Sequence, residues 1–436
     1  MLENQENSIV NPIKSEIYTG FEHQIITELC WTDRDLIYLE ELNQQYKKQV
    51  LIATTYRGKR IIKATESVGI FSLGNYTIQV LPKLCQGTAI QRATTNLLFL
   101  LEYSGLALKQ FKSYHYLLAG NLNWLEILTR LFVTSIQEEW QRGAYHCYES
   151  RDDILSVLKG KWQLEKQIYK PNIKHQFCVN YDDFTVNNEI NQVLKYCVEK
   201  LYLTSKDAFN LRAIQLLRCL MAEVTLPKII TIQKIDNIKI NRLNQRYEYL
   251  LEIAKLFLNQ QSLLFSSGNI KIPAFFINMN QLFEKFITNF IERHHSEILF
   301  PRLQDYHIIS QARGINKYLA HSDNNQSSFL LKPDLVVKSG EHFPLLLDTK
   351  YKILTPSDHI SSSDFYQMYA YANRYNCPLV VVIYPQTGDT PARNENFQLQ
   401  GSDKIIRVGT VDLRGDLHQS QEQKKLIKRL KELLQR

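Results

Sequence analysis

The chain has 436 residues, 44% hydrophobic and 22% charged, with 52 Lys and Arg against 44 Asp and Glu for a net charge of +8. This length exceeds one ordinary core and calls for two or three domains, and no apolar run reaches the ~18 residues of a membrane span. The polar N-terminus MLENQENSIVNPIKSE lacks the layout of a signal peptide, so a cytoplasmic protein is expected. Seven scattered cysteines without metal-ligand spacing exclude a zinc ribbon or disulfide scaffold.

Residues 49 to 82 alternate β-branched runs with the turn signals Arg57-Gly58-Lys59 and Gly74-Asn75, which predicts a small β-rich module. From residue 88 the period changes. NLLFLLEYSGL and then NWLEILTRLFVTSIQEEWQ (123 to 141) place apolar residues at i, i+3, i+4 and i+7, the helical spacing. Further helical patterns over 189 to 203, 207 to 223 and 241 to 259 make the middle of the chain largely helical. Small and polar residues around 260 to 272 interrupt the pattern and set a boundary. Beyond it the texture is α/β. A helix is expected over 280 to 294, strands over 329 to 338 and 343 to 351, a helix over 364 to 375, and a buried strand in PLVVVIYP (378 to 385). IIRVGTVDL reads as a further strand, and the C-terminal helix puts Leu426, Ile427, Leu430, Leu433 and Leu434 on its apolar face. The expected domains are a β-rich N-terminal module over 1–115, a helical middle domain over 116–265 and an α/β domain over 266–436.

The stretch PLLLDTKYK (344 to 352) runs three leucines into Asp348, with Lys350 two positions on and so on the same face of a strand. An unpaired charge there is costly to bury, so the pattern asks for a partner. Asp334 in FLLKPDLVVKSG begins a second strand, and Ser339-Gly340-Glu341-His342 can turn it back as a hairpin that brings the two acids together. Adjacent carboxylates repel, and a divalent cation usually meets that cost. Lys350 can act on a water or steady the charge on a phosphate. Pro-Asp, a spacer and Asp-x-Lys form the signature of the PD-(D/E)XK nucleases, although a strand-end salt bridge would also explain Asp348 and a lysine. In DFYQMYAYANRY, Asp364, Gln367 and Tyr371 share one helix face, and Gln367 with Tyr371 makes the Gln-x-x-x-Tyr pattern of RecB-like nucleases. Glu284 sits at the margin of the apolar stripe Phe283, Phe286, Ile287 and Phe290, where this superfamily often draws another metal ligand, although by itself a solvated acid would also explain it. The order of these elements is that of a restriction-endonuclease-like core.

MNQLFEKF (279 to 286), LLKPDLVV (330 to 337), LLLDTKYK (345 to 352) and DFYQMYAYA (364 to 372) together resemble the McrC family of nuclease subunits from McrBC modification-dependent restriction systems. GNYTIQVLPKL (74 to 84), QRGAYHCY (141 to 148) and VNYDDFTVNNEIN (179 to 191) extend the likeness upstream. The resemblance implies a C-terminal domain that cuts double-stranded, modified DNA with Mg2+ or Mn2+. Asp334 and Asp348 would be ligands, Glu284 a further ligand or water positioner, Lys350 the base or charge stabiliser, and Gln367 and Tyr371 supporting residues. It also implies docking of the upstream parts onto an McrB-like AAA+ GTPase that this chain stimulates. YRGKR and LKGKW lack the remainder of a P-loop, so a motor, if one is required, is expected from another chain. Thr349 stands where the family commonly has alanine, and its side chain is expected to face away from the site. Residues 1 to 45 match nothing in the family pattern. An adaptor that mainly stimulates its partner, and a stand-alone RecB-like repair nuclease, remain alternatives.

Overall fold

The computed structural model of the chain describes residues 17–26, 32–46, 49–56, 59–73, 76–104, 122–169, 175–259, 274–299, 306–324, 326–354, 360–388 and 391–435. The turns expected at Arg57-Gly58 and Gly74-Asn75, and the boundary around 260 to 272, lie outside these residues. The chain divides into two compact units, one of residues 1–123 with 263–436 and one of residues 124–262. Among the described residues no helix is long and apolar enough to cross a membrane.

In the first unit, the β-branched N-terminal runs form two small sheets. One places Lys59–Ala64 between Ile25–Ile26 and Leu51–Tyr56. The other runs Ile17–Phe21, Tyr76–Leu81, Val68–Leu73, Ala274–Ile277. Its last strand pairs antiparallel with Val68–Leu73, so a segment from beyond residue 266 completes a sheet begun near the N-terminus. The helix Ile90–Tyr103 carries Asn96, which is fully buried. The Asn96 amide donates to the carbonyls of Leu413 at 2.9 Å and Gly415 at 2.7 Å and accepts from the Leu417 N–H at 3.3 Å. The division expected between 1–115 and 266–436 differs from this grouping because a shared sheet and a buried amide join the two segments.

The larger sheet of this unit follows helix α1 (Met279–Arg293). Its strands are β1 (His307–Ser310), β2 (Leu335–Ser339), β3 (His342–Thr349), β4 (Leu379–Pro385), β5 (Asn394–Gln398) and β6 (Ile405–Val411), in the spatial order β1-β2-β3-β4-β6-β5. A two-residue loop at Gly340-Glu341 turns β2 into β3, and Gly340 takes the left-handed conformation this tight turn needs, at φ 57°. Strand β3 runs parallel to β4, and helix α2 (Ser362–Arg374) makes the crossover. Met368, Tyr371 and Ala372 of α2 pack on Val336, Leu346, Val380 and Val382 of the sheet. Helix α3 (Ser420–Leu434) buries Leu426, Leu430, Leu433 and Leu434, with Ile427 half-buried.

The strand expected over 329 to 338 is two strands. Ser327–Leu331 pairs with Lys317–His321 as a separate ribbon, and β2 starts only at Leu335. Lys332-Pro333-Asp334 makes the break, since proline brings no amide hydrogen to a ladder. Asp334 therefore sits just ahead of β2.

The second unit contains the helices Trp124–Gln141, Glu189–Thr204, Ala208–Leu220 and Glu248–Asn259, as the spacing predicts. Residues 241 to 244, also expected as helix, form a turn instead, and Gln245–Tyr247 is a short 3-10 helix leading into Glu248–Asn259. The Asn241 side chain accepts from the N–H groups of Leu243 and Asn244, and Asn244 accepts from the N–H of Asn241, an alternative to helical bonding. The unit also holds strands that the helical reading missed. Cys147–Leu155 and Phe177–Thr185 pair over nine residues, with Lys161–Trp162 beside the second. Most of the first strand is exposed, so no apolar alternation betrays it. Tyr148, Val157, Leu158, Ile168, Tyr169 and Phe184 are exposed on or near this hairpin. Lys159 lies over the Tyr181 ring at 3.8 Å.

Candidate active site

Strand β3 delivers Asp348 into the interior, where it is 2% exposed. The antiparallel pairing of Leu335 with Leu347 puts Asp334 opposite Asp348, one step beyond the last pair. One Asp334 oxygen, Oδ2, accepts from the Thr349 N–H at 2.7 Å and from the Thr349 hydroxyl at 2.8 Å. The expectation that Thr349 faces away from the site is therefore corrected. Its side chain grips Asp334, because that carboxylate arrives from a neighbouring strand end.

Lys350 Nζ lies 2.7 Å from Asp348 Oδ2 and donates to Gln367 Oε1 at 2.9 Å. Gln367 Nε2 donates to the Tyr371 hydroxyl at 2.8 Å, and that hydroxyl donates to the Lys332 carbonyl at 3.1 Å. Asp348, Lys350, Gln367 and Tyr371 thus form one hydrogen-bonded chain that spans β3 and α2. On the same helix Asp364 accepts from the Tyr384 hydroxyl at 3.0 Å and pairs with Lys352 at 2.9 Å. Glu284 on α1 stands apart from this chain. It accepts from Gln311 Nε2 at 3.0 Å, and the Gln311 N–H donates to the Asp334 carbonyl at 2.7 Å.

Burial, then the charges of Asp348 and Glu284, raise the Asp334 carboxyl to about 7 against the two Thr349 hydrogen bonds. Burial likewise raises Asp348, opposed by Lys350. Lys350 is pushed the other way by burial, yet Asp348, Asp364 and Asp334 outweigh it and hold the ammonium protonated more firmly than usual. Burial also opposes ionisation of Asp364, but hydrogen bonds from Lys352, Ser361 and Tyr384 bring its carboxyl below the ordinary value.

Among the described residues no group of three or more His, Cys, Asp or Glu side chains is placed to hold a metal ion between them. The two-carboxylate pair Asp334 and Asp348 nevertheless suits a hard divalent cation. Magnesium typically takes one or two carboxylates and fills its shell with water and phosphate oxygens. Burial first, and neighbouring acids after it, raise the proton affinity of both carboxyls, and a bound cation would offset that cost of holding them ionised. A cleft of about 520 Å³ opens on Asp334 and is lined by Glu284, Gln311, Arg313 and Lys332 among others. The last three carry no signal of their own in the sequence. They come from loops whose proximity depends on the pairing of β1 with β2, which no local pattern reveals.

A family model of McrBC 5-methylcytosine restriction system components matches residues 62–385. Two solved structures from Thermococcus gammatolerans share the fold. A chain of the refined half-complex from a tetradecameric assembly of McrB AAA+ hexamers with bound McrC is 22% identical, with a TM-score of 0.66 over 95% of this chain and 99% of that one. A chain of the McrBC complex is 22% identical, with a TM-score of 0.51 over 66% of this chain and 90% of that one. No curated protein matches the chain.

Proposed function

Because the chain belongs to the family of McrBC 5-methylcytosine restriction system components, we propose that it is the endonuclease subunit of a modification-dependent restriction complex. It would hydrolyse DNA phosphodiesters in a PD-(D/E)XK site, with Mg2+ or Mn2+, beside a separate McrB-like AAA+ GTPase that recognises and translocates DNA. The observation that carries this reading is the buried Asp348 beside the half-buried Asp334, with Lys350 held against Asp348 by Gln367 and Tyr371. A salt bridge made only for stability would need neither the second carboxylate nor the amide behind the lysine.

Asp334 and Asp348 would hold the cation, and Glu284, tied to the Asp334 backbone through Gln311, would orient a water at the margin. The cation would supply Lewis-acid stabilisation of charge on the phosphoryl group. Lys350 would act as a cation toward the developing phosphate charge rather than as a base, because the surrounding acids keep it protonated. Gln367 restrains the ammonium, and Tyr371 anchors Gln367 to the Lys332 carbonyl. Support for an AAA+ partner comes from the similar complexes, in which McrB AAA+ hexamers carry bound McrC. Exposed apolar side chains around the 147–185 hairpin also suit a docking surface.

The test incubates methylated duplex DNA with this protein, Mg2+, GTP and its AAA+ partner. Cleavage in the full mixture should vanish in Asp348→Ala, while stimulation of GTP hydrolysis persists. Wild-type cleavage by Asp348→Ala would refute the site. Cutting without the partner would point to a stand-alone nuclease, and GTPase stimulation without any cutting to an adaptor.

A further inference from the structure

Beside the carboxylates of Asp334 and Glu284, the cleft carries two cations that the hydrolytic site does not use. Arg313 and Lys332 are both exposed, and neither has an ion-pair partner among the described residues. Glu284 lines the same cleft, yet the neutral Gln311 amide satisfies it rather than either cation. Two free positive side chains so close to two acids suit a third party of negative charge. Without them the carboxylates would repel any anion entering the cleft.

The segment that presents Arg313 is held under local strain. Gln311 and Ala312, neither of them glycine, take left-handed backbone at φ 53° and 47°, and Gly314 follows at 75°. Such conformations persist only where the surroundings impose them, and they concentrate at ligand-binding positions. The surroundings here are definite. The Gln311 N–H donates to the Asp334 carbonyl at 2.7 Å and Ile315 N–H donates to the Ala312 carbonyl at 2.9 Å, while Ala312 itself is buried. Lys332 is fixed as firmly, since its carbonyl receives the Tyr371 hydroxyl at the end of the chain that begins at Asp348. The Arg313 segment is therefore tied to Asp334, and Lys332 to Asp348 through Tyr371, Gln367 and Lys350.

We infer that residues 311–316 and Lys332 form a clamp for a DNA backbone phosphate next to the one that is cut, with Arg313 as a forked donor and Lys332 as a point charge. This rests on the endonuclease reading. A guanidinium fork matches two phosphate oxygens, whereas an ammonium contributes charge without that geometry.

The experiment measures anisotropy of a fluorescently labelled methylated duplex bound by the full chain with its AAA+ partner. It uses an Asp348→Ala background so that the DNA stays intact, over a salt series. Arg313→Ala and Lys332→Ala should each reduce the slope of log affinity against log salt by about 0.9, the release expected for one phosphate contact. Arg313→Lys should keep the slope and bind about threefold to tenfold more weakly than the Asp348→Ala parent, the loss of a fork rather than of a charge. Lys424→Ala, on the exposed side of α3, should leave the slope unchanged. An unchanged slope in both cleft variants would overturn the clamp, and a reduced slope in Lys424→Ala alone would move the DNA path to α3. Failure of the Asp348→Ala parent to bind any duplex would overturn the endonuclease reading and the clamp with it.

Discussion

Thr349 occupies the position between the acid and the lysine, and strand alternation turns it away from both. Alternation alone therefore mispredicts its role, because the side chain it meets, Asp334, belongs to another strand. Its hydroxyl and N–H both stabilise the ionised form of Asp334, yet burial and neighbouring charge outweigh them and hold the carboxyl protonated up to about 7. Protons and cations compete for that oxygen, so Mg2+ affinity should climb as pH rises toward 7 and level off above it. Removing the hydroxyl in Thr349→Val should shift this climb to higher pH, and Thr349→Ser should restore it. Calorimetric titration of Mg2+ without DNA checks this, and identical pH profiles for wild type and Thr349→Val would sink it. The sign for stability follows from the same displacement. Asp334 ionises higher in the folded chain than the ordinary 3.8, so its neutral form favours folding at low pH. In the metal-free protein that contribution is lost as pH rises through about 7. At this scale Asp348, Lys350, Gln367 and Tyr371 are readable from sequence because strand and helix periods alone align them. Thr349, Gln311, Arg313 and Lys332 are not, since their roles exist only across strand pairings.

Whether an element can be read from sequence depends on how one-sided its burial is. Helix α1 and strand β4 show their apolar pattern plainly and appear within two residues of expectation. The strand over 329 to 338 looks continuous because Pro333 interrupts hydrogen bonding without interrupting hydrophobicity. The 147–185 hairpin escapes because both of its faces carry polar side chains. The helix Ile90–Tyr103 is visible, but not the reason for Asn96 within it. That side chain closes three backbone bonds from a segment more than 300 residues away, and leaving buried carbonyls and an N–H unpaired costs about 1–3 kcal/mol each before relaxation. With water entry and partial relaxation, Asn96→Ala should destabilise the first unit by roughly 3 kcal/mol. Thermal melting checks this. A loss at the ~0.5 kcal/mol level of a surface substitution would mean that the carbonyls find other donors.

Over the whole molecule, the composition of the two units decides which fragments can fold. Residues 266–436 look self-sufficient in sequence, yet their strand Ala274–Ile277 needs Val68–Leu73 as its neighbour. Phe286 and Phe290 of α1 pack on Tyr103, and Phe286 also meets Phe99. The Tyr351 hydroxyl, one residue beyond Lys350, donates to the buried carboxylate of Glu22. Exposing large apolar side chains costs about 1.5–3 kcal/mol each, so losing several of these contacts together reaches the 5–15 kcal/mol that typically holds a domain folded. A fragment of residues 266–436 should therefore show no cooperative melting by calorimetry or near-ultraviolet dichroism. A chain in which a flexible Gly/Ser linker replaces residues 124–262 should melt cooperatively, because it retains every contact named here. The fragment 124–262 should do so too, since Phe132 and Phe257 and its four long helices lie within it. If 266–436 melts cooperatively and cuts DNA with Mg2+, the three-part division read from sequence describes the folding units after all. If only the linked chain does so, Lys350 works in a site whose supporting strand is held from the N-terminal end of the protein.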